Sequence, residues 1–75
     1  MVIDDDVELC ELLTDYLTPE GFQVEAVHDG ERGVERALSG DHALVVLDVM
    51  LPGMDGREVC RVLRRESDIP IIMLT

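Results

Sequence analysis

Residues 43–48 read ALVVLD, five apolar residues in succession closed by an aspartate. A strand with one face in water alternates apolar and polar side chains, so an unbroken apolar run asks for cover on both faces, as in a parallel sheet flanked by helices. Residues 70–74 (PIIML) form a second such run. Working outward, MVID at 1–4 and FQVEAV at 22–27 are also strand-like, and the stretches between these runs carry helical periodicity. Strands and helices alternating in this order predict an α/β fold on a parallel sheet.

In the stretch after the first strand, Leu9, Leu12, Leu13, Tyr16 and Leu17 recur at helical spacing while Glu8, Glu11 and Asp15 fall elsewhere. The pattern predicts an amphipathic helix with that apolar set packed on the sheet. Pro19 and Gly21 end it, because proline disfavours helical geometry at Thr18 and glycine accepts a left-handed turn. Val34, Ala37 and Leu38 mark a second helix closed by Gly40. Val59, Val62 and Leu63 mark a third, opened by Asp55 and Glu58 at capping-box spacing. Arg57, Arg61, Arg64 and Arg65 gather on its solvent side and toward its C-terminus, where they complement the helix dipole.

Composition narrows the function. Seventy-five residues hold one domain at most. A hydrophobic share of 47% against 31% charged is too apolar for a disordered segment and too broken by charge for a membrane span. Six basic residues, all arginine, face seventeen acidic ones, giving a net charge of −11. Direct electrostatic binding to nucleic acid is disfavoured by that balance, which suits a cation or a cationic partner instead. Cys10 and Cys60 lack metal-binding spacing, and no secretory, lipidation or transmembrane signal precedes the first strand; they are expected to be buried, reduced thiols of a cytoplasmic protein without membrane contact.

In open parallel sheets the ligand site lies beyond the carboxyl ends of the strands. Asp4, Asp5 and Asp6 end the first strand and Asp48 ends the third, so if those strands are neighbours the carboxylates converge. Like charges at close range oppose one another's ionisation. A hard divalent cation resolves that repulsion, and an all-oxygen donor set favours magnesium or manganese. With such a cation holding a phosphodonor's oxygens, Asp48 can act as a covalent nucleophile and become an acyl phosphate. Taken singly these residues have plainer uses. An acidic run before a helix is more often an N-cap, which is the role assigned to Asp6. A lone strand-end aspartate is more often a turn residue than a nucleophile.

Their combination changes the balance. VIDDDVELCELL at 2–13, VVLDVMLPGMDG at 45–56 and IPIIMLT at 69–75 together resemble the receiver domain of two-component response regulators, most closely those of the OmpR/PhoB group. The resemblance covers the whole chain and implies a flavodoxin-like (CheY-like), doubly wound parallel sheet. It implies that Asp48 is the phosphoacceptor, that Asp5 ligates Mg2+ directly with Asp4 acting through water, and that the backbone carbonyl of Met50 is a further ligand. Thr75 would turn its hydroxyl toward the phosphoryl group, and Pro52 and Gly56 would shape the loop behind the site. The partner implied is a sensor histidine kinase, with DNA reached only through an output domain that these residues do not contain.

The family completes its site with a lysine and a switch aromatic on a fifth strand, yet this sequence contains no lysine. Residues 1–75 are therefore expected to be an incomplete receiver, truncated after the fourth strand, that binds magnesium weakly and phosphorylates poorly by itself. Three other readings compete. A phosphatase of the haloacid dehalogenase type needs a second aspartate two residues after the nucleophile, where this chain has Met50. A flavin carrier needs a phosphate-cradling loop where this chain places three aspartates. A half-receiver could instead act as an interaction module that self-associates through an exposed fourth strand.

Overall fold

A computed structural model describes residues 1–74, and Thr75 lies outside the described residues. Four strands and three helices alternate as predicted: β1 (Val2–Ile3), α1 (Val7–Leu17), β2 (Ala26–Val27), α2 (Gly30–Ser39), β3 (Val45–Asp48), α3 (Gly56–Glu66) and β4 (Ile71–Leu74). The sheet is parallel throughout, in the order β2-β1-β3-β4. The expected fold class is the one observed. β1 and β2 are each only two residues long, because the chain leaves the ladder as soon as the helix caps begin.

Each helix starts on an aspartate whose carboxylate accepts from an otherwise unpaired backbone N–H. Asp6 accepts from the N–H of Leu9, Asp29 from that of Arg32, and Asp55 from that of Arg57. The reciprocal half of the expected capping box is not used, since Glu58 turns to Arg61 at 3.3 Å instead. α1 runs out at Leu17 into a 3-10 turn over Thr18–Glu20, and Gly21 follows with φ of 96°, a left-handed geometry that a side chain would disfavour.

The core lies on one face of the sheet. Ile3, Val45 and Leu47 point from the strands into Val59 and Leu63 of α3 and Ala37 of α2, with Val27 and Leu51 closing the ends. Each fully buried aliphatic side chain of this kind contributes about 1.5–3 kcal/mol, so this layer supplies most of the apolar stabilisation. Side chains alternate across the pleat, and Val2, Val46, Ile72 and Leu74 therefore face the other way, where α1 lies over only part of the sheet.

That second face departs from expectation in α1 and is open at β4, the strand expected to be exposed. α1 buries Cys10 and half-buries Leu13 and Leu17, but Leu12 is 65% exposed and Tyr16 72% exposed. Similarly, β4 is covered on one face only: Ile71 and Met73 pack on the core while Ile72 and Leu74 are open to solvent. The physical reason is one of numbers. α2 and α3 share one face, whereas α1 stands alone on the other, over β1 and β2, and does not reach β4. Cys60 is likewise only half-buried, beside the core and outside it.

Candidate functional site

β1 pairs with β3 in the register Val2↔Val46 and Ile3↔Leu47. One residue further along, Asp4 and Asp48 leave the sheet side by side at its carboxyl rim. The chain leaves β1 toward α1 on one face and β3 toward α3 on the other, so this rim is the point where the connections diverge and open a crevice. Oxygen atoms of Asp4, Asp5 and Asp48 all lie within 4.8 Å of one another, the one such cluster of metal-ligating side chains found among the described residues.

The three carboxylates differ in surroundings. Asp4 is 5% exposed, Asp48 is half-buried and Asp5 is exposed. Burial pushes the Asp4 carboxyl up from the ordinary range; the Asp6 backbone N–H, donating to its Oδ1 at 2.9 Å, pulls the other way, and the charges of Asp48, Asp5 and Asp6 add to the upward push. Asp48 is steadied by the Met50 backbone N–H, which donates to its Oδ1 at 3.1 Å. Met50 itself is 79% exposed.

Behind the nucleophile position, the α3 helix starts in direct contact with β3. The Gly56 N–H donates to the Val49 carbonyl at 2.9 Å, and a Cβ at Gly56 would run into the Asp48 carbonyl oxygen and Val49 Cα. A glycine is required there by close approach, which gives a physical basis for the loop-shaping role expected of it. Leu51, buried at the head of the same loop, anchors the segment from Asp48 to Gly56 in the core.

The donor set fits a hard cation. Oxygens on a magnesium octahedron stand about 3 Å apart on adjacent vertices and about 4.2 Å apart on opposite ones, so carboxylates within 4.8 Å of one another lie close enough to share one ion once they draw inward around it. The clustered negative charge, with one member buried, is the electrostatic deficit such an ion would cancel.

Sequence reasoning brought Asp4, Asp5 and Asp48 to one rim and set Asp6 aside as a cap, and that is where the structure places them. Thr75 lies outside the described residues. Two neighbours were missed: His28, whose Nδ1 lies 3.0 Å from the Asp4 carbonyl oxygen, and Cys10, whose Sγ lies 3.4 Å from the same atom. His28 sits in the bend just after β2, and no periodicity or motif signals a side chain that reaches across from there.

The family model for the response regulator receiver domain matches residues 1–75. The chain belongs to that family. Among relatives of the receiver, the DNA-binding response regulator MtrA of Mycobacterium tuberculosis is 48% identical over 75 residues, and the uncharacterized transcriptional regulatory protein YclJ of Bacillus subtilis is 44% identical over the same length. Both matches take in 100% of this chain and 33% of the relative, so the chain spans about a third of the length of the curated relatives it matches. A crystal structure of the response regulator TrrA from Thermotoga maritima, in complex with Mg2+ and BeF, superposes with a TM-score of 0.91 at 36% identity, covering 99% of this chain and 65% of that one. No helix among the described residues is long and apolar enough to cross a membrane.

Proposed function

We propose that these residues are the phosphoacceptor module of a two-component regulator, with Asp48 receiving a phosphoryl group from a sensor histidine kinase. The observation that carries this reading is the convergence of the Asp4, Asp5 and Asp48 oxygens within 4.8 Å at the carboxyl rim. Bound Mg2+ would draw phosphoryl oxygens toward the carboxylates and offset the charge that develops during transfer. Asp5 and Asp48 would hold it, with Asp4 acting through water and the Met50 carbonyl adding a donor. Asp48 then attacks phosphorus through a carboxylate oxygen, and the bond from phosphorus to the donor's leaving group breaks as the acyl phosphate forms. Its Oδ1 is preset by the Met50 N–H.

Met50 also bears on the lifetime of the acyl phosphate. Two residues after the acceptor, an exposed thioether cannot hold an attacking water by hydrogen bonds as an amide could, so the phosphoryl group is retained. Replacing it by Asn is expected to speed loss of the phosphate, and an unchanged rate in a hydrolysis time course would count against that role. Thr75 is proposed to contact the phosphoryl group through its hydroxyl. Regulation of a transcriptional output domain, and through it of DNA, is proposed from the named activities of the longer relatives, as is a cytoplasmic location.

The test is labelling by acetyl phosphate in the presence of magnesium. Phosphate is expected on Asp48 as a hydroxylamine-sensitive adduct, slowly for these residues alone because the family's clamping lysine has no counterpart in the sequence. Labelling that survives Asp48→Asn would remove the assignment. One observation favours a second reading: among the described residues no strand pairs with the outer edge of β4, and Ile72 and Leu74 stand exposed on it. Strand addition there would make the chain a self-associating module, which a rise of solution mass with concentration would reveal.

A further inference from the structure

Asp4 is the buried member of the acidic cluster, and most of what fixes it comes from outside the acidic run. Its N–H donates to the Val27 carbonyl at 3.0 Å, the last ladder bond between β1 and β2. Beyond that point its carbonyl oxygen meets side chains from two other elements: His28 Nδ1 at 3.0 Å, just past β2, and Cys10 Sγ at 3.4 Å, on α1, with Nδ1 and Sγ 3.8 Å apart. A carbonyl oxygen offers only lone pairs, so Nδ1 must carry the hydrogen and donate it. The carbonyl so held belongs to the planar peptide unit that joins Asp4 to Asp5. Turning that plane would swing the Asp5 side chain relative to that of Asp4.

We infer that His28 is a positioning residue for the cation pocket: its Nδ1–H holds the Asp4–Asp5 peptide plane and so sets the relative placement of the two carboxylates that project from it. The inference rests on the reading of this pocket as a magnesium site. Groups that orient metal ligands from outside the coordination shell typically alter affinity 10–100-fold when removed. His28 reaches the main chain and not a carboxylate, which puts its effect near the lower end, about tenfold. The ring is otherwise exposed and contributes little to the core, so its loss should register in binding far more than in folding.

Two measurements test this on the full chain. In the first, Mg2+ affinity is read by calorimetry beside a thermal melt of each variant. If wild-type protein shows no saturable binding, or Asp48→Asn binds as well as wild type, the pocket reading itself fails whatever His28 does. Given binding, His28→Leu is expected to raise the Kd about tenfold with little change in Tm. His28→Asn, whose amide N–H can occupy the Nδ1 position, should recover most of the loss. Wild-type affinity in His28→Leu, or equal weakening in both variants, would overturn the positioning role. The second needs no variant: 15N spectra of the neutral imidazole should show Nδ1 as the protonated nitrogen, and a ring protonated at Nε2 instead would sink the proposal.

Discussion

At the carboxyl rim of the sheet, three carboxylates stand within 4.8 Å of one another without a basic side chain among them. At the amino rim, an acid is placed quite differently. Glu25, just before β2, accepts from Arg36 in the last turn of α2 at 2.6 Å through Oε2, and that hydrogen bond holds its carboxyl below the ordinary range. His42, in the approach to β3, brings Nε2 to 3.1 Å from Glu25 Oε1 but is not aligned for a hydrogen bond. One rim is internally compensated and the other is left short of positive charge. The contrast teaches where to look for function: Glu25 is neutralised by a neighbouring cation, whereas three carboxylates gathered in one place, one of them buried, have backbone donors but no cation of the protein's own.

The contrast can be broken at its strongest point. Asp48→Asn removes the acceptor oxygen and one of the three clustered charges, and should abolish phosphoryl labelling outright in an acetyl-phosphate assay. Gly56→Ala attacks the same rim from behind, since the new methyl group would have to displace the Asp48 main chain. A stability loss of about 1–3 kcal/mol in denaturant unfolding, the usual cost of forcing extra volume into a packed site, should accompany loss of labelling. A variant that melts like the parent would mean that the close approach is not real.

The two rims should also respond to acid with opposite signs. Asp4 has a raised carboxyl pKa in the folded state, so its ionisation costs stability: the cost is absent below the unfolded value of about 3.9 and complete once pH exceeds the folded value. Asp4→Asn should therefore raise Tm at pH 7 without magnesium, by about 4–8 °C per kcal/mol relieved. The gain should vanish at pH 3. Glu25 has a lowered pKa, so its contribution is present above the unfolded value of about 4.3 and is lost as pH falls through the folded one. Glu25→Gln should lower Tm slightly at pH 7, by no more than about a degree or two, as befits an exposed pair, and 1 M salt should erase most of the difference. Equal signs for the two substitutions would collapse the distinction between the rims.

Much of this was readable before any coordinates, and the unread parts have a common cause. The unbroken apolar run of 43–48 gave a parallel strand because burial on both faces leaves no room for alternation, and the aspartates at two strand ends marked the rim. At 70–74 the apolar run again marks a strand, and the openness of Ile72 and Leu74 agrees with the exposed fourth strand read from the sequence. The reasoning misled in α1, where helical spacing identifies a stripe without saying how wide a neighbour will be, so Leu12 and Tyr16 were assigned to a contact that α1 does not make. Periodicity reports what a residue is suited for, and cover depends on partners. His28 and the Glu25–Arg36 pair were illegible for a different reason: each is a tertiary contact between elements, made by side chains with no spacing rule to announce them.

The open face of the sheet sets how this molecule behaves in company. Ile72 and Leu74 offer water a greasy flank there, and Leu12, Tyr16 and Phe22 add exposed apolar surface elsewhere, on a body that carries eleven excess negative charges. Mutual repulsion keeps two such flanks apart in dilute buffer, and electrolyte weakens the repulsion while leaving the grease untouched. Adding salt to a concentrated sample should then encourage clumping where ordinary ionic assemblies would come undone.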